Sequence, residues 1–139
     1  MAAKSSPPKP SPAPGAEVRI AMTRLKNRAD FLRAARGIRR STASLTLELC
    51  PTPAPAPDSL RVGFTASRKV GNAVARNRAK RRLRAAAAAL LPLHGREGHD
   101  YVLVARTATL TRPFADLLMD LTGALAAGHA RLGRSGETQ

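Results

Sequence analysis

RKVGNAVARNRAKRRLR, residues 68–84, is the stretch on which the reading of this chain turns. Gly71 turns the backbone and Asn72 is a good N-cap, so the residues beyond it suit a helix. That helix is expected to reach Leu91, about 20 residues and roughly 30 Å long, before Pro92 and Gly95 end it. Immediately upstream the chain alternates. Leu60, Val62, Phe64 and Ala66 share one face of a strand, and Arg61, Gly63 and Thr65 share the other. The unit is therefore a strand, a turn and a basic helix. Arg76, Lys80 and Arg84 fall along one helix edge, about 6 Å apart by helix rise, with Asn77 and Arg81 beside them. Val74, Leu83, Leu90 and Leu91 are the expected core-facing set.

The charge pattern of this unit is one-sided. Between Ser59 and Arg96 there is no Asp or Glu, while Arg61, Arg68, Lys69, Arg76, Arg78, Lys80, Arg81, Arg82, Arg84 and Arg96 all carry positive charge. A solvated helix gains from opposite charges four residues apart. Here Arg76/Lys80, Arg78/Arg82 and Lys80/Arg84 put like charges at that spacing, which calls for an external anion. The whole chain agrees: 24 Lys and Arg oppose 9 Asp and Glu, a formal charge of +15 and a pI near 11.8. Such a surplus points to a polyanionic partner, nucleic acid first and an anionic membrane surface second. Arginine dominates, which favours forked phosphate contacts and base stacking over point-charge attraction. Asn77 adds a donor and an acceptor that could read a base or hold a hydrated metal ion.

Working outward, residues 1–21 carry Pro7, Pro8, Pro10, Pro12 and Pro14 among Ser, Ala and Lys, a composition expected to form a disordered tail. Globular patterning begins at Met22, which also offers a second translation start. Arg24 to Ala35 is expected to be helical, with Leu25, Phe31 and Leu32 at near-helical spacing and Gly37 as its stop. Ser44 to Leu49 alternates as a half-buried strand. Pro51, Pro53, Pro55 and Pro57 then form an extended connector that cannot join a sheet. Asp100 to Ala105 (DYVLVA) is a continuous apolar run suited to a central strand. Pro113 opens a last helix striped by Phe114, Leu117, Leu118, Leu121 and Leu125, and residues 133–139 are expected to be a flexible tail. The order is helix, strand, strand, helix, strand, helix: an α+β sandwich of a mixed sheet and packed helices spanning residues 22–132.

Other chemistries find little support. Cys50 is the single cysteine, so neither an intramolecular disulfide nor a thiolate cluster is expected, and a strand-end hydrophobe is the natural role. His94, His99 and His129 lack metal-ligand spacing; two lie in a Gly-rich loop, so solvated loop histidine is the expected reading. No run approaches the roughly 18 apolar residues of a membrane span, and prolines replace the apolar stretch of a signal peptide, so a cytoplasmic protein is expected. A DNA-binding basic helix would need a dimerising heptad after the basic run, and Pro92 interrupts it. A phosphate-binding loop lacks its Gly-Lys-Ser/Thr ending. A ribosomal protein remains compatible with composition alone.

The order of residues goes further. Residues 68–84 closely resemble the hallmark segment of the bacterial ribonuclease P protein subunit, in which a strand ends in a basic pair, followed by a Gly-Asn-Ala-Val turn and an Arg-Asn-Arg, Lys-Arg helix. RVGFTAS (61–67) resembles that family's second strand and RLKNRADFLRAAR (24–36) its first helix, so the resemblance spans about residues 22–130. It implies a left-handed βαβ crossover and a partnership with a large catalytic RNA. That RNA, with bound magnesium, hydrolyses the phosphodiester joining the 5′ leader to precursor tRNA. The protein is expected to supply no catalytic residue and to bind no metal itself. Carried across residue by residue, Arg76, Asn77, Arg78, Lys80, Arg81 and Arg84 match the RNA-facing helix, and Arg68 and Lys69 the adjoining strand end. Phe31 matches an aromatic of a cleft that holds the single-stranded leader. The chain departs from the family at Ala35 and Glu48, where aromatics are frequent, which implies weaker stacking on the leader. No membrane or DNA partner is implied.

Overall fold

The structure, a computed structural model, describes residues 20–53 and 58–137, with side chains as far as Leu132. Along the chain run β1 (Met22–Arg24), α1 (Arg28–Ala35), β2 (Ile38–Ser41), β3 (Leu45–Pro51), β4 (Leu60–Thr65), α2 (Ala73–His94), β5 (His99–Ala105) and α3 (Phe114–Glu137). One short 3-10 turn, Thr107–Leu110, links β5 to α3. The five strands form one mixed sheet in the order β1-β4-β5-β3-β2. β1, β4 and β5 run parallel, whereas β3 and β2 are antiparallel to their neighbours. β5 is the apolar run expected at the centre, and α2 is the crossover between parallel β4 and β5.

Alternation along the strands sorts the core into two layers. Leu45, Leu47 and Leu49 of β3, Leu60 and Val62 of β4, and Tyr101, Leu103 and Ala105 of β5 face the same side. There they meet Ala79, Leu83, Ala86, Ala87 and Leu91 of α2 and Leu117, Leu121, Ala124 and Leu125 of α3. The alanines let α2 lie close to the sheet, and Tyr101 is the one aromatic among the fully buried side chains. On the opposite face α1 covers a smaller cluster of Leu25, Ala34, Cys50 and Val102, with Phe31 and Val104 against it. The result is α1, sheet, then α2 with α3.

Several expectations need correction. The order is not αββαβα, because β1 and β2 add short edge strands; Arg24 belongs to β1, and α1 starts only at Arg28. Leu25 is buried ahead of the helix, while Leu32 is 46% exposed. β3 is buried on both faces rather than half-buried, since α1 packs on its Cys50 end, Glu48 is buried beside it, Thr46 is enclosed at the floor of a groove, and α3 covers the other face. Pro51 does enter the sheet, paired with His99 at the strand end, where a missing N–H is tolerated. Residues 54–57 lie outside the described residues.

α2 continues through Pro92 to His94 and ends at Gly95, whose N–H bonds to the Leu91 carbonyl. Val74 is 69% exposed, because the first turn of α2 projects past the sheet. Residues 1–19 lie outside the described residues, yet Ile20 bonds to the Pro92 carbonyl and Leu60 to the Ala21 carbonyl, so chain order begins before Met22. The α3 backbone likewise runs on to Glu137 through the expected tail, a helix propagating from a core-anchored stretch.

Candidate nucleic-acid interface

The start of α2 is built as expected. The Asn72 side chain accepts a hydrogen bond from the Ala75 N–H at 2.9 Å, closing one of the helix's orphan donors. Gly71 reaches this cap at φ +148°, a conformation that L side chains rarely adopt. No acidic residue occupies the first turn. The positive end of the helix dipole is therefore followed by cations rather than balanced by carboxylates, an arrangement suited to phosphate.

The side chains follow the sorting read from sequence. Arg68, Lys69, Asn77, Arg78, Arg81 and Arg84 are exposed, and Arg76 and Lys80 are half-buried along the same edge. Among the described residues none of these cations makes an ion pair. Two unit charges 6 Å apart in water repel by about 0.7 kcal/mol, so each uncompensated neighbour leaves a small cost that an anion would remove. The Arg84 guanidinium lies 5.4 Å from the centre of the Phe64 ring, a cation–π contact that aims it along the helix edge.

A second feature lies on the α1 side of the sheet. Strand register lays out cross-strand rows there: Arg39, Glu48, Val102 and Gly63 in one, Ser41, Thr46, Val104 and Thr65 in the next. Phe31 packs on the first row at Gly63, where an added Cβ would come within 2.5 Å of the ring's Cζ. The second row has no helix over it. It floors a groove of about 410 Å³ whose rims include Arg39, Lys69 and Arg106. Lys69 thus belongs both to the basic turn before α2 and to this groove. Arg39 and Arg106 were missed in sequence. The signal for Arg106 is its place just past β5: β4 and β5 are parallel, so residues following both strands share one edge with Arg68 and Lys69.

The rest of the α1 face is internally neutralised. Arg61 donates twice to the fully buried Asp100 carboxylate at 2.7 Å, and Thr52 donates to it as well, also at 2.7 Å. Arg61 reaches Asp30 at 3.3 Å, and Arg33 bonds the same carboxylate at 2.7 Å. The Arg33 hydrogen bond, more than the Arg61 charge, holds the Asp30 carboxyl below its usual range. Arg61, one of the cations counted in the acid-free stretch, is therefore structural. Glu48 is the other buried acid on this face; burial raises its pKa, and Arg39 at 3.5 Å pulls it back down.

Remaining candidates resolve simply. Cys50 is buried and its thiol is pushed up to about 11 by burial. His129 departs from its expected solvated state: its Nε2 shares a 2.7 Å hydrogen bond with the Tyr101 hydroxyl, which also accepts from the Arg96 N–H at 2.8 Å. Burial, and then the charges of Arg96, His99 and His94, push His129 down to about 4. Its position four residues after Leu125 on the α3 stripe was the available signal. No helix among the described residues is long and apolar enough to cross a membrane.

A basic strand-turn-helix unit, an unpaired row of cations and a hydroxyl-floored groove define a small α+β protein of the RNA-binding class. The family model of ribonuclease P matches residues 21–127. The ribonuclease P protein component of Ruegeria pomeroyi is 53% identical over 107 residues, covering 76% of this chain and 86% of that protein. That of Caulobacter vibrioides is 49% identical over 113 residues, covering 81% and 75%. Among solved structures, a Staphylococcus aureus RNase P protein mutant with defective mRNA degradation activity superposes with a TM-score of 0.63 at 28% identity, covering 75% of this chain and 86% of that one. The RNase P protein from Thermotoga maritima, at 23% identity and a TM-score of 0.60 over 73% of this chain and 94% of that one, shares the fold. The chain belongs to the ribonuclease P protein family: it is a protein subunit of the tRNA 5′-processing enzyme, and its partner is the ribonuclease P RNA.

Proposed function

We propose that the α2 edge binds the catalytic RNA through Arg68, Lys69, Arg76, Asn77, Arg78, Lys80, Arg81 and Arg84, while the groove beside Phe31 holds the 5′ leader of precursor tRNA. The observation that carries this reading is the continuity of unpaired positive charge from the α2 edge, through Lys69, to the groove rim. A cationic track next to a half-buried aromatic ring suits a single strand that must pass from one RNA to another. Phe31 supplies one such ring. Ala35 and Glu48 supply none, so stacking contributes less here than phosphate binding.

The protein's own part is binding and orientation. Magnesium belongs on the RNA, where it supplies the hydrolytic chemistry, because Asp30, Asp100 and Asp120 are each committed to arginines. Cleavage takes place in the cytoplasm. Replacing Arg76 and Lys80 with Ala tests the assignment of the helix edge. Each phosphate that is no longer neutralised should lower the slope of log affinity against log salt for the RNA by roughly 0.7–0.9. An unchanged slope would remove both residues from the interface.

A further inference from the structure

The groove on the α1 side contains one cation unlike the others. Lys69 and Arg106 stand on its rim with no carboxylate partner among the described residues, whereas Arg39 is tied across to Glu48 at 3.5 Å. The Glu48 side chain is 8% exposed and that of Arg39 is 59% exposed, so a buried acid anchors an arginine whose head remains in the groove. The tie uses a single nitrogen, Nη1, and leaves the remaining guanidinium N–H donors free.

That neutralisation decides what Arg39 can attract. A phosphate approaching it would also approach the Glu48 carboxylate, so the pair presents almost no net charge to an anion. A neutral acceptor pair loses nothing to the carboxylate and can still take two parallel N–H bonds. Among the purines the edge with two adjacent acceptors is O6/N7 of guanine; adenine offers a donor at one of those places. Next to Arg39 the floor is Ser41 and Thr46, whose hydroxyls bond one another at 3.1 Å and leave room for a base laid against the sheet.

We infer that Arg39, positioned by Glu48, reads a guanine in the single strand that occupies this groove. This rests on the groove holding the leader, and it adds a base preference that stacking and phosphate binding alone would not create. Arg39 is then a specificity-determining residue and Glu48 a positioning residue.

The test uses the enzyme reconstituted from the full chain and its ribonuclease P RNA. The substrates are precursor tRNAs whose oligouridine leaders carry one G or one A at successive positions. The readout is the G-to-A ratio of kcat/KM at each position. With the unsubstituted protein, one position should favour G about five- to tenfold. Arg39→Lys keeps the charge and removes the fork, so the ratio should fall to near one. Glu48→Gln should shrink the ratio and steepen the salt dependence by about 0.7, as the freed arginine turns to phosphate. A ratio within twofold of one at every position, or a G preference that survives Arg39→Lys, overturns the inference while leaving leader binding intact. An unaltered ratio and salt slope in Glu48→Gln overturns the positioning role. If the unsubstituted protein accelerates cleavage of no leader, leader binding itself fails, and the inference fails with it.

Discussion

Gly63→Ala probes how α1 is seated on the sheet and hence how the groove wall is held. A Cβ at this position would lie 2.5 Å from Phe31 Cζ and 3.3 Å from Leu25 Cβ. The ring has little freedom to yield, because α1 is pinned by fully buried Ala34 and by the ties from Asp30 to Arg61 and from Arg33 to Asp100. Overpacking of this kind costs typically 1–3 kcal/mol. Against it stands a gain of about 0.4–1 kcal/mol from restricting the unfolded chain. The net expectation is a loss of about 1–2 kcal/mol, with about 4 °C in Tm per kcal/mol for a folded region of this size.

Stability alone does not identify the cause, so the double mutant decides. Phe31→Ala removes the half-buried ring and by itself costs about 2 kcal/mol. In that background the added methyl meets empty space, and Gly63→Ala should become neutral or mildly stabilising. Urea unfolding of the four proteins should therefore give a coupling energy of at least about 1 kcal/mol. If Gly63→Ala costs the same with and without the ring, the packing of Phe31 on Gly63 does not set the position of α1.

Two further predictions concern buried charge. Asp100→Asn keeps the shape but leaves Arg61 without the carboxylate it grips twice, and breaking a buried pair from one side typically costs 3–5 kcal/mol; a loss below about 1 kcal/mol in urea unfolding would show that the pair does not hold β4 to β5. His129 is neutral in the fold, with a pKa of about 4 against 6.5 when free. A depressed folded pKa means that the unfolded chain takes up the proton first. The His129 contribution is thus complete above pH 6.5, declines as pH falls toward 4, and amounts to at most about 3 kcal/mol. The lowered carboxyls of Asp30 and Asp120 contribute their losses only below about pH 3.8. The urea midpoint of the native chain should therefore drop between pH 6.5 and 4, and His129→Asn should flatten that span; equal slopes would refute it.

How far the chain could be read in advance depended on where each signal lies. Alternation at Leu60, Val62 and Phe64, the Asn72 cap and the apolar run of β5 are local, and each produced the element it predicts. β1 and β2 are only three and four residues long, and their Met-Thr-Arg and Ile-Arg-Arg-Ser offer no apolar periodicity. They exist because a neighbouring strand presents unpaired backbone, and their arginines suit sheet edges. The double burial of β3 was hidden because Thr46 and Glu48 look solvent-facing until neighbouring strands and α1 enclose that face. In the site, Arg76 to Arg84 could be read from one helix, whereas Arg39 and Arg106 join Lys69 only through strand register. Arg61, counted among the cations of the acid-free stretch, turned inward, since its partner Asp100 is distant in sequence and adjacent only across β4 and β5.

The most direct measurement adds the purified protein to its ribonuclease P RNA at low magnesium and follows cleavage of a precursor tRNA with a single-stranded 5′ leader. The protein should stimulate cleavage there, and stimulation should diminish when Arg76 and Lys80 are replaced by Ala or when the leader is shortened below the groove's reach. Cleavage that proceeds at the same rate with and without the protein would contradict the account at its centre.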